Sequence, residues 1–182
     1  FRLGESYRRL ARPADAREAF TSLLKRFPKS AKCPQALYRL GQILADDEPA
    51  PAAEAYARLA REWPDHTLSQ AARYWSGEAY FEAGRYPDAV RMLTELLEAH
   101  PEGKYAPNAV YTLAWAHFEQ DAFADAHRHF ARFVERWPDH ELAAECRLRN
   151  GEALHELERY DAALAAYRPL VEQSKDLQPA AM

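Results

Sequence analysis

The sequence predicts an all-α fold, a solenoid of about five helix-turn-helix units that stack on one another. The main observation is that two kinds of residue recur with nearly the same period. Prolines recur at intervals of 36, 37 and 37 residues, at Pro28, Pro64, Pro101 and Pro138. Small residues recur at intervals of 37, 36, 37 and 37, at Gly4, Gly41, Gly77, Ala114 and Gly151. Because these series share one period, they indicate a repeated structural unit.

The first helix of each unit is predicted from the apolar residues around the recurring small residue. In the second unit, Leu37, Leu40 and Leu44 follow the i, i+3, i+7 spacing of one helical face. The small residue on this face allows a neighbouring helix to approach closely.

The second helix of each unit begins at a turn and ends before the recurring proline. In three units the turn contains a proline whose fixed φ suits a first helical turn, namely Pro13, Pro51 and Pro87. The apolar face of this helix starts with a recurring alanine, at Ala16, Ala52, Ala89, Ala126 and Ala163. A single helix pair cannot bury its own apolar face, so we expect neighbouring units to supply the continuous core.

These patterns place ten helices and five units along the chain. The predicted helices are 1–10, 13–26, 32–46, 50–62, 67–83, 86–99, 104–119, 123–136, 141–157 and 160–174. The predicted units are 1–31, 32–67, 68–104, 105–141 and 142–174, followed by a C-terminal tail at 175–182. Pro169 lies inside the last helix, where proline removes a hydrogen bond, so a kinked or frayed helix is expected there.

Composition and charge exclude two classes of function. No apolar run approaches the roughly 20 residues that a membrane-spanning helix needs, so direct membrane insertion is not expected. Residues 1–32 contain nine basic and three acidic residues, a balance of +6, whereas the remainder has 15 basic and 25 acidic residues, a balance of −10. Nucleic acid binding needs a clustered positive surface, which only the first unit offers, so no nucleic acid partner is expected.

Residues capable of catalysis or metal binding do not form a recognisable site. The seven histidines lack the i, i+4 spacing of helical metal ligands, and no nucleophile or phosphate-binding motif occurs. Cys33 and Cys146 match no metal or disulfide pattern and are expected to be packed thiols. We therefore predict no catalytic residue, no metal and no cofactor.

The unit resembles the tetratricopeptide repeat (TPR). The resemblance rests on Leu3, Gly4 and Tyr7, then Ala16 and Phe20, then Pro28, and it extends over nearly the whole chain. It implies a right-handed superhelical solenoid with a concave groove that binds peptides or partner helices. The long units ending FPKS, WPDH or HPEG resemble a bacterial subclass found in the periplasmic accessory protein of the Tol-Pal system and in the lipoprotein of the barrel-assembly machinery. This subclass implies a periplasmic or cell-envelope location.

The candidate groove lies on the side of each leading helix that the resemblance assigns to the concave surface. Its residues stand at positions −3, +1, +4 and +5 from the recurring small residue. They are Tyr38, Gln42, Tyr74, Glu78, Phe81, Glu82, Tyr111, Trp115, Phe118, Glu119, Glu152, His155 and Glu156. Carboxylates beside aromatic rings favour a basic ligand with apolar or aromatic residues. An alternative interpretation is that the recurring tyrosines only wedge between helices, and Trp75 is expected to pack between helices.

The sequence thus predicts a non-enzymatic scaffold that binds a protein or peptide, in bacterial cell-envelope assembly according to the resemblance. Two alternatives remain. The array is the structural arm of a larger enzyme or lipoprotein, or it associates weakly with itself, the basic first unit of one copy meeting the acidic body of another.

Overall fold

The computed structural model describes the backbone of residues 1–176 and the side chains of residues 1–172. This part of the chain forms ten α-helices and contains no strand. The helices are α1 (Arg2–Arg9), α2 (Pro13–Arg26), α3 (Cys33–Leu44), α4 (Pro49–Glu62), α5 (Ser69–Glu82), α6 (Tyr86–Ala99), α7 (Ala106–Phe118), α8 (Phe123–Arg136), α9 (Ala143–Glu156) and α10 (Tyr160–Asp176). Each end lies within two residues of its predicted position. Most of the predicted tail, residues 177–182, lies outside the described residues.

The chain divides into two compact units, Phe1–Pro101 and Glu102–Met182. The first unit contains α1 to α6 and the second contains α7 to α10. Within each unit, every helix packs mainly against the helix before it and the helix after it in the chain. This consecutive packing of helices confirms the predicted all-α repeat fold.

In four of the five helix pairs, the recurring small residue is a glycine that lies directly against a large side chain of the second helix. A Cβ atom at Gly41 would lie 2.5 Å from Cζ of Tyr56, and one at Gly151 would lie 2.2 Å from Cε1 of Tyr167. Gly4 lies against Phe20 and Gly77 against Leu93 in the same way. Real side chains do not approach so closely, so the glycine provides the space for a large residue of the partner helix.

Most residues of the predicted apolar faces are buried in the core, but Leu23 and Leu40 are only half-buried. In the fourth repeat, Ala114, Phe130 and Phe133 are fully buried. In α2, however, the buried leucine is Leu24, whereas Leu23, the residue that the pattern predicted, is half-buried. The residues equivalent to Leu23 in the next three units, Leu59, Leu96 and Phe133, are buried as the pattern predicts, so the partial exposure of Leu23 does not follow from the repeat spacing.

Three further sequence predictions concern the cysteines, the last helix and membrane insertion. Cys33 and Cys146 are both free and buried, as expected for packed thiols. α10 continues across Pro169 to Asp176, so the proline does not end the helix. None of the helices in the described part of the chain combines the length and the apolar character needed to cross a bilayer.

Four of the leading helices are followed, within three residues, by a residue whose backbone is in the left-handed region. These residues have φ values of 53°, 68°, 56° and 58° and are Ala11, Gly84, Asp121 and Glu158. Their spacing repeats the period of the array. The second repeat is one residue shorter between Gly41 and Ala52, and no residue of that stretch has a positive φ. Only glycine adopts the left-handed region without a steric penalty.

Candidate partner-binding surfaces

The predicted groove residues of the first compact unit lie on α3 and α5. On α3, the half-buried Tyr38 contacts Tyr56 of α4 edge to face, with 5.5 Å between ring centroids. Gln42 is exposed and accepts a hydrogen bond of 2.8 Å from Arg39. Arg39 also pairs with Glu5 of α1 at 3.1 Å. This part of the surface is therefore a polar network beside one aromatic ring.

The burial of two adjacent aromatic residues of α5, Tyr74 and Trp75, is the reverse of what the sequence predicted. Tyr74, predicted to line the groove, is only 6% exposed, which fits the alternative interpretation that it packs between helices. Trp75, predicted to pack between helices, is 40% exposed and contacts Tyr74 edge to face at 4.9 Å. Trp75 is thus the exposed aromatic ring of α5, and the buried Tyr74 packs against it.

The other predicted residues of α5 surround the C-terminal turn of the helix. Phe81 is half-buried and its ring lies 5.4 Å from that of Tyr86. Glu78 is half-buried, and Glu82 is exposed. The α5 surface, which we define as Trp75, Glu78, Phe81 and Glu82, therefore combines two aromatic rings with two carboxylates.

In the second compact unit, Trp115 is the centre of an aromatic cluster. Its half-buried ring lies 6.4 Å from Tyr111, 5.7 Å from Phe118 and 6.0 Å from the buried Phe130. All three contacts are edge to face, the arrangement that ring quadrupoles favour. Phe130 on α8 fixes the orientation of Trp115 from the core side.

Arg149 of α9 lies over the ring of Trp115, at 4.7 Å from the centroid. Its guanidinium donates a hydrogen bond of 2.8 Å to Glu152 and lies 4.0 Å from Glu145. The hydrogen bond to Glu152 raises the pKa of Arg149. A cation over a tryptophan face is attracted by the ring quadrupole, so Arg149 joins α9 to the aromatic cluster of α7.

Tyr111 connects the same two helices. Burial is the main cause that raises the pKa of its hydroxyl to about 12, and the Glu145 carboxylate of α9 acts in the same direction. At neutral pH the hydroxyl is therefore protonated. Tyr111 consequently has a structural role beside any contact with a partner.

The remaining predicted residues lie at the edge of this cluster. Phe118 packs edge to face on Phe123 at 5.2 Å. His155 is exposed and contacts Tyr160 at 5.3 Å. Glu119 and Glu156 are exposed. We call the surface formed by these residues and the Trp115 cluster the α7–α9 surface, and its members are Tyr111, Trp115, Phe118, Glu119, Glu145, Arg149, Glu152, His155 and Glu156.

Sequence reasoning missed the position two residues before the recurring small residue. This position is occupied by Arg39, Trp75, Thr112 and Arg149. It stands seven residues before position +5, which had been assigned to the groove. Seven residues complete almost two turns of helix, so the two positions share a face, and this spacing would have revealed Arg149 and Trp75.

Two histidines stack face to face between α7 and α8. The rings of His117 and His129 lie 5.3 Å apart with an angle of 7° between their planes. Burial lowers the pKa of both, and that of His129 falls to about 4. Nδ1 of His129 is buried and has no hydrogen-bond partner. Within residues 1–172, no group of three or more potential ligands is arranged to hold a metal ion.

Comparison with known proteins gives matches along the whole chain. The family model described as outer membrane lipoprotein (YfiO) matches residues 64–180, and a tetratricopeptide repeat model matches residues 1–67. A comparison with curated proteins found no significant match.

Solved structures share the fold at low sequence identity. A crystal structure of MamA has a TM-score of 0.73 and 19% identity, covering 96% of this chain and 95% of that chain. MamA from Desulfovibrio magneticus RS-1 has a TM-score of 0.71 and 16% identity, covering 98% and 94%. TPR-like repeats of a putative kinesin light chain from Podosopora anserina have a TM-score of 0.69 and 14% identity, covering 98% and 95%.

Both family models and the shared fold support a protein-interaction scaffold. Repeats of this type generally bind protein partners and are generally not catalytic. The YfiO model matches well over half of the residues, and its range includes the whole α7–α9 surface. The chain is therefore a TPR-type helical repeat protein that belongs to the outer membrane lipoprotein family YfiO.

Proposed function

We propose that this protein is a non-enzymatic scaffold of cell-envelope assembly whose α7–α9 surface binds a peptide or partner helix. The observation that carries this proposal is the half-buried Trp115, whose ring contacts Phe130 and lies under Arg149, which in turn pairs with Glu152. The envelope setting is supported by the family description. The α5 surface repeats the same chemistry in the first compact unit, with Trp75 as the exposed ring.

Fixed aromatic rings are suitable anchors for a partner. Trp115 contacts rings on two helices, so it loses little conformational entropy when a partner covers it. Tryptophan is also among the residue types most often found as interface hot spots, where truncation typically costs about 2 kcal/mol or more. The proposed partner therefore places an apolar or aromatic side chain against Trp115 and Phe118.

The charge of the α7–α9 surface favours a basic partner. This surface contains four carboxylates and one guanidinium group, that of Arg149. The guanidinium group pairs with Glu152 and lies near Glu145. The other two carboxylates of this surface, Glu119 and Glu156, are exposed. We propose that they attract Lys or Arg side chains of the partner, which acts mainly on the rate of association.

The test uses labelled peptides that alternate Lys or Arg with Leu or Phe, and the same peptides with Glu in place of the basic residues. Trp115→Ala is expected to weaken binding of the basic peptides at least about tenfold. Glu119→Lys with Glu156→Lys is expected to slow association, most strongly at low salt. Fluorescence polarisation and stopped-flow mixing measure these two effects.

Leu113→Ala is the matched control on the same helix. Leu113 is buried, so its truncation should lower stability by roughly 2–5 kcal/mol through a cavity while affinity per folded molecule stays unchanged. If Trp115→Ala instead destabilises the fold as Leu113→Ala does and leaves that affinity unchanged, Trp115 is ordinary core. Equal binding of the acidic peptides would contradict the proposed role of the carboxylates.

A further inference from the structure

A polar pocket of about 450 Å³ lies between α4, α5 and α6 of the first compact unit. It is lined by four arginines, Arg61, Arg73, Arg85 and Arg91, and by three carboxylates. Arg73 and Tyr80 contribute from α5 and share one face of that helix, and no residue of the α5 surface lines the pocket. The pocket is therefore separate from the α5 surface.

Two of the arginines, Arg85 and Arg91, pair with all three carboxylates of the pocket. Arg85 pairs with Glu54 at 2.8 Å and with Asp88 at 2.6 Å. Arg91 pairs with the same Asp88 at 3.1 Å and with Glu95 at 3.6 Å. The hydrogen bond from Arg91 is the largest cause that lowers the pKa of Asp88, which keeps this carboxylate ionised. All acidic groups of the pocket are thus engaged by two of its four guanidinium groups.

The other two arginines have no carboxylate partner. Arg73 donates a hydrogen bond of 2.9 Å to the hydroxyl of Ser69. Arg61 forms no ion pair or hydrogen bond with any of the described residues. The four guanidinium groups of the pocket exceed its three carboxylates by one positive charge, and the two guanidinium groups without a carboxylate partner are open to a bound anion. Guanidinium groups are planar and bind a carboxylate through two parallel hydrogen bonds.

We propose that this pocket binds a carboxylate side chain of an acidic protein segment, with Arg61 and Arg73 as its charged ligands. A protein segment is favoured because an apolar cleft of about 460 Å³ adjoins the pocket and shares Glu54 with it. Leu40 and Leu44 of α3 line this cleft, which accepts an apolar residue next to the acidic one. The first compact unit then carries a second binding site, for a partner opposite in charge to the proposed ligand of the α7–α9 surface.

The test measures binding of glutarate, inorganic phosphate and a synthetic peptide that alternates Glu and Leu. The side-chain Nε–Hε resonances of Arg61 and Arg73 are followed by NMR during titration at low salt. We expect saturable shifts with glutarate and tighter saturation with the peptide. Arg61→Gln with Arg73→Gln should weaken peptide binding at least about tenfold, since two charge-assisted contacts are lost.

Arg26→Gln is the matched control, because Arg26 is an exposed arginine of the same compact unit that does not line this pocket. We expect it to change peptide affinity less than about twofold. Equal losses in the control and the double variant would mean general charge attraction and would overturn the proposal, as would unchanged binding in the double variant. Binding of phosphate without binding of glutarate or peptide would also overturn it, because the pocket would then select phosphate. Circular dichroism of each variant confirms that the fold is retained.

Discussion

Replacing Gly41 by alanine introduces a methyl group into the closest contact between α3 and α4. The new Cβ would lie 2.5 to 2.7 Å from three ring atoms of Tyr56. Tyr56 is 3% exposed and its ring is held edge to face by Tyr38. A buried aromatic ring cannot bend away from the methyl group, so relief requires movement of one helix relative to the other.

Two opposing effects set the magnitude of this change. Alanine inside a helix is more favourable than glycine by about 1 kcal/mol, because glycine loses more backbone entropy on folding. Overpacking a well-filled core costs about 1–3 kcal/mol, and contact with three ring atoms places this site in the upper half of that range. We therefore expect Gly41→Ala to lower the free energy of unfolding by about 1–2 kcal/mol.

Urea unfolding followed by far-UV circular dichroism measures this effect through a lower midpoint. Gln42→Ala is the control, since Gln42 is the next residue of the same helix and is exposed. Its substitution should change stability by less than about 0.5 kcal/mol. If Gly41→Ala is as stable as the original protein or more stable, backbone entropy exceeds the steric effect, and the proposed reason for glycine at this position is wrong.

Two further predictions concern a helix end and a buried histidine. Glu158→Gly should raise stability by about 0.5–1 kcal/mol, because Glu158 has a φ of 58° that glycine adopts without strain. Gly84→Ala should lower stability by a similar amount, because Gly84 has a φ of 68°. Thermal unfolding measures both changes, and changes of the opposite sign would contradict this explanation. The pKa of His129 is lowered to about 4 from an ordinary 6.5, so the unfolded chain binds more protons between these values and stability should fall as the pH is lowered through that window. His117, Arg128 and Arg132 disfavour its protonation and Asp125 favours it. The free energy of unfolding should fall by roughly 1–2 kcal/mol across this pH window, after allowance for partial solvent screening. If His129→Leu shows the same pH dependence of stability as the original protein, His129 is not its cause.

Which residues of a predicted surface face solvent was only partly accessible from the sequence. Of the residues that helical spacing assigned to the groove, Trp115 and Phe118 are half-buried, and Glu82 and Glu156 are exposed. The same spacing could not decide between the adjacent Tyr74 and Trp75, because a rotation of α5 by a fraction of a turn exchanges their burial. The self-association that charge asymmetry suggested stays a prediction.

The sequence by itself determined the repeat, the order of the helices and most of their ends. It did so because helix periodicity and turn residues are local, and because each helix packs mainly on its chain neighbours within its own compact unit. Only the tertiary structure placed Arg149 over Trp115 and brought Arg61 and Arg73 into one pocket. These pairs belong to different helices, so their meeting depends on how neighbouring helices are rotated and spaced. That geometry results from packing of the whole core, including the glycine contacts, and no short stretch of sequence encodes it.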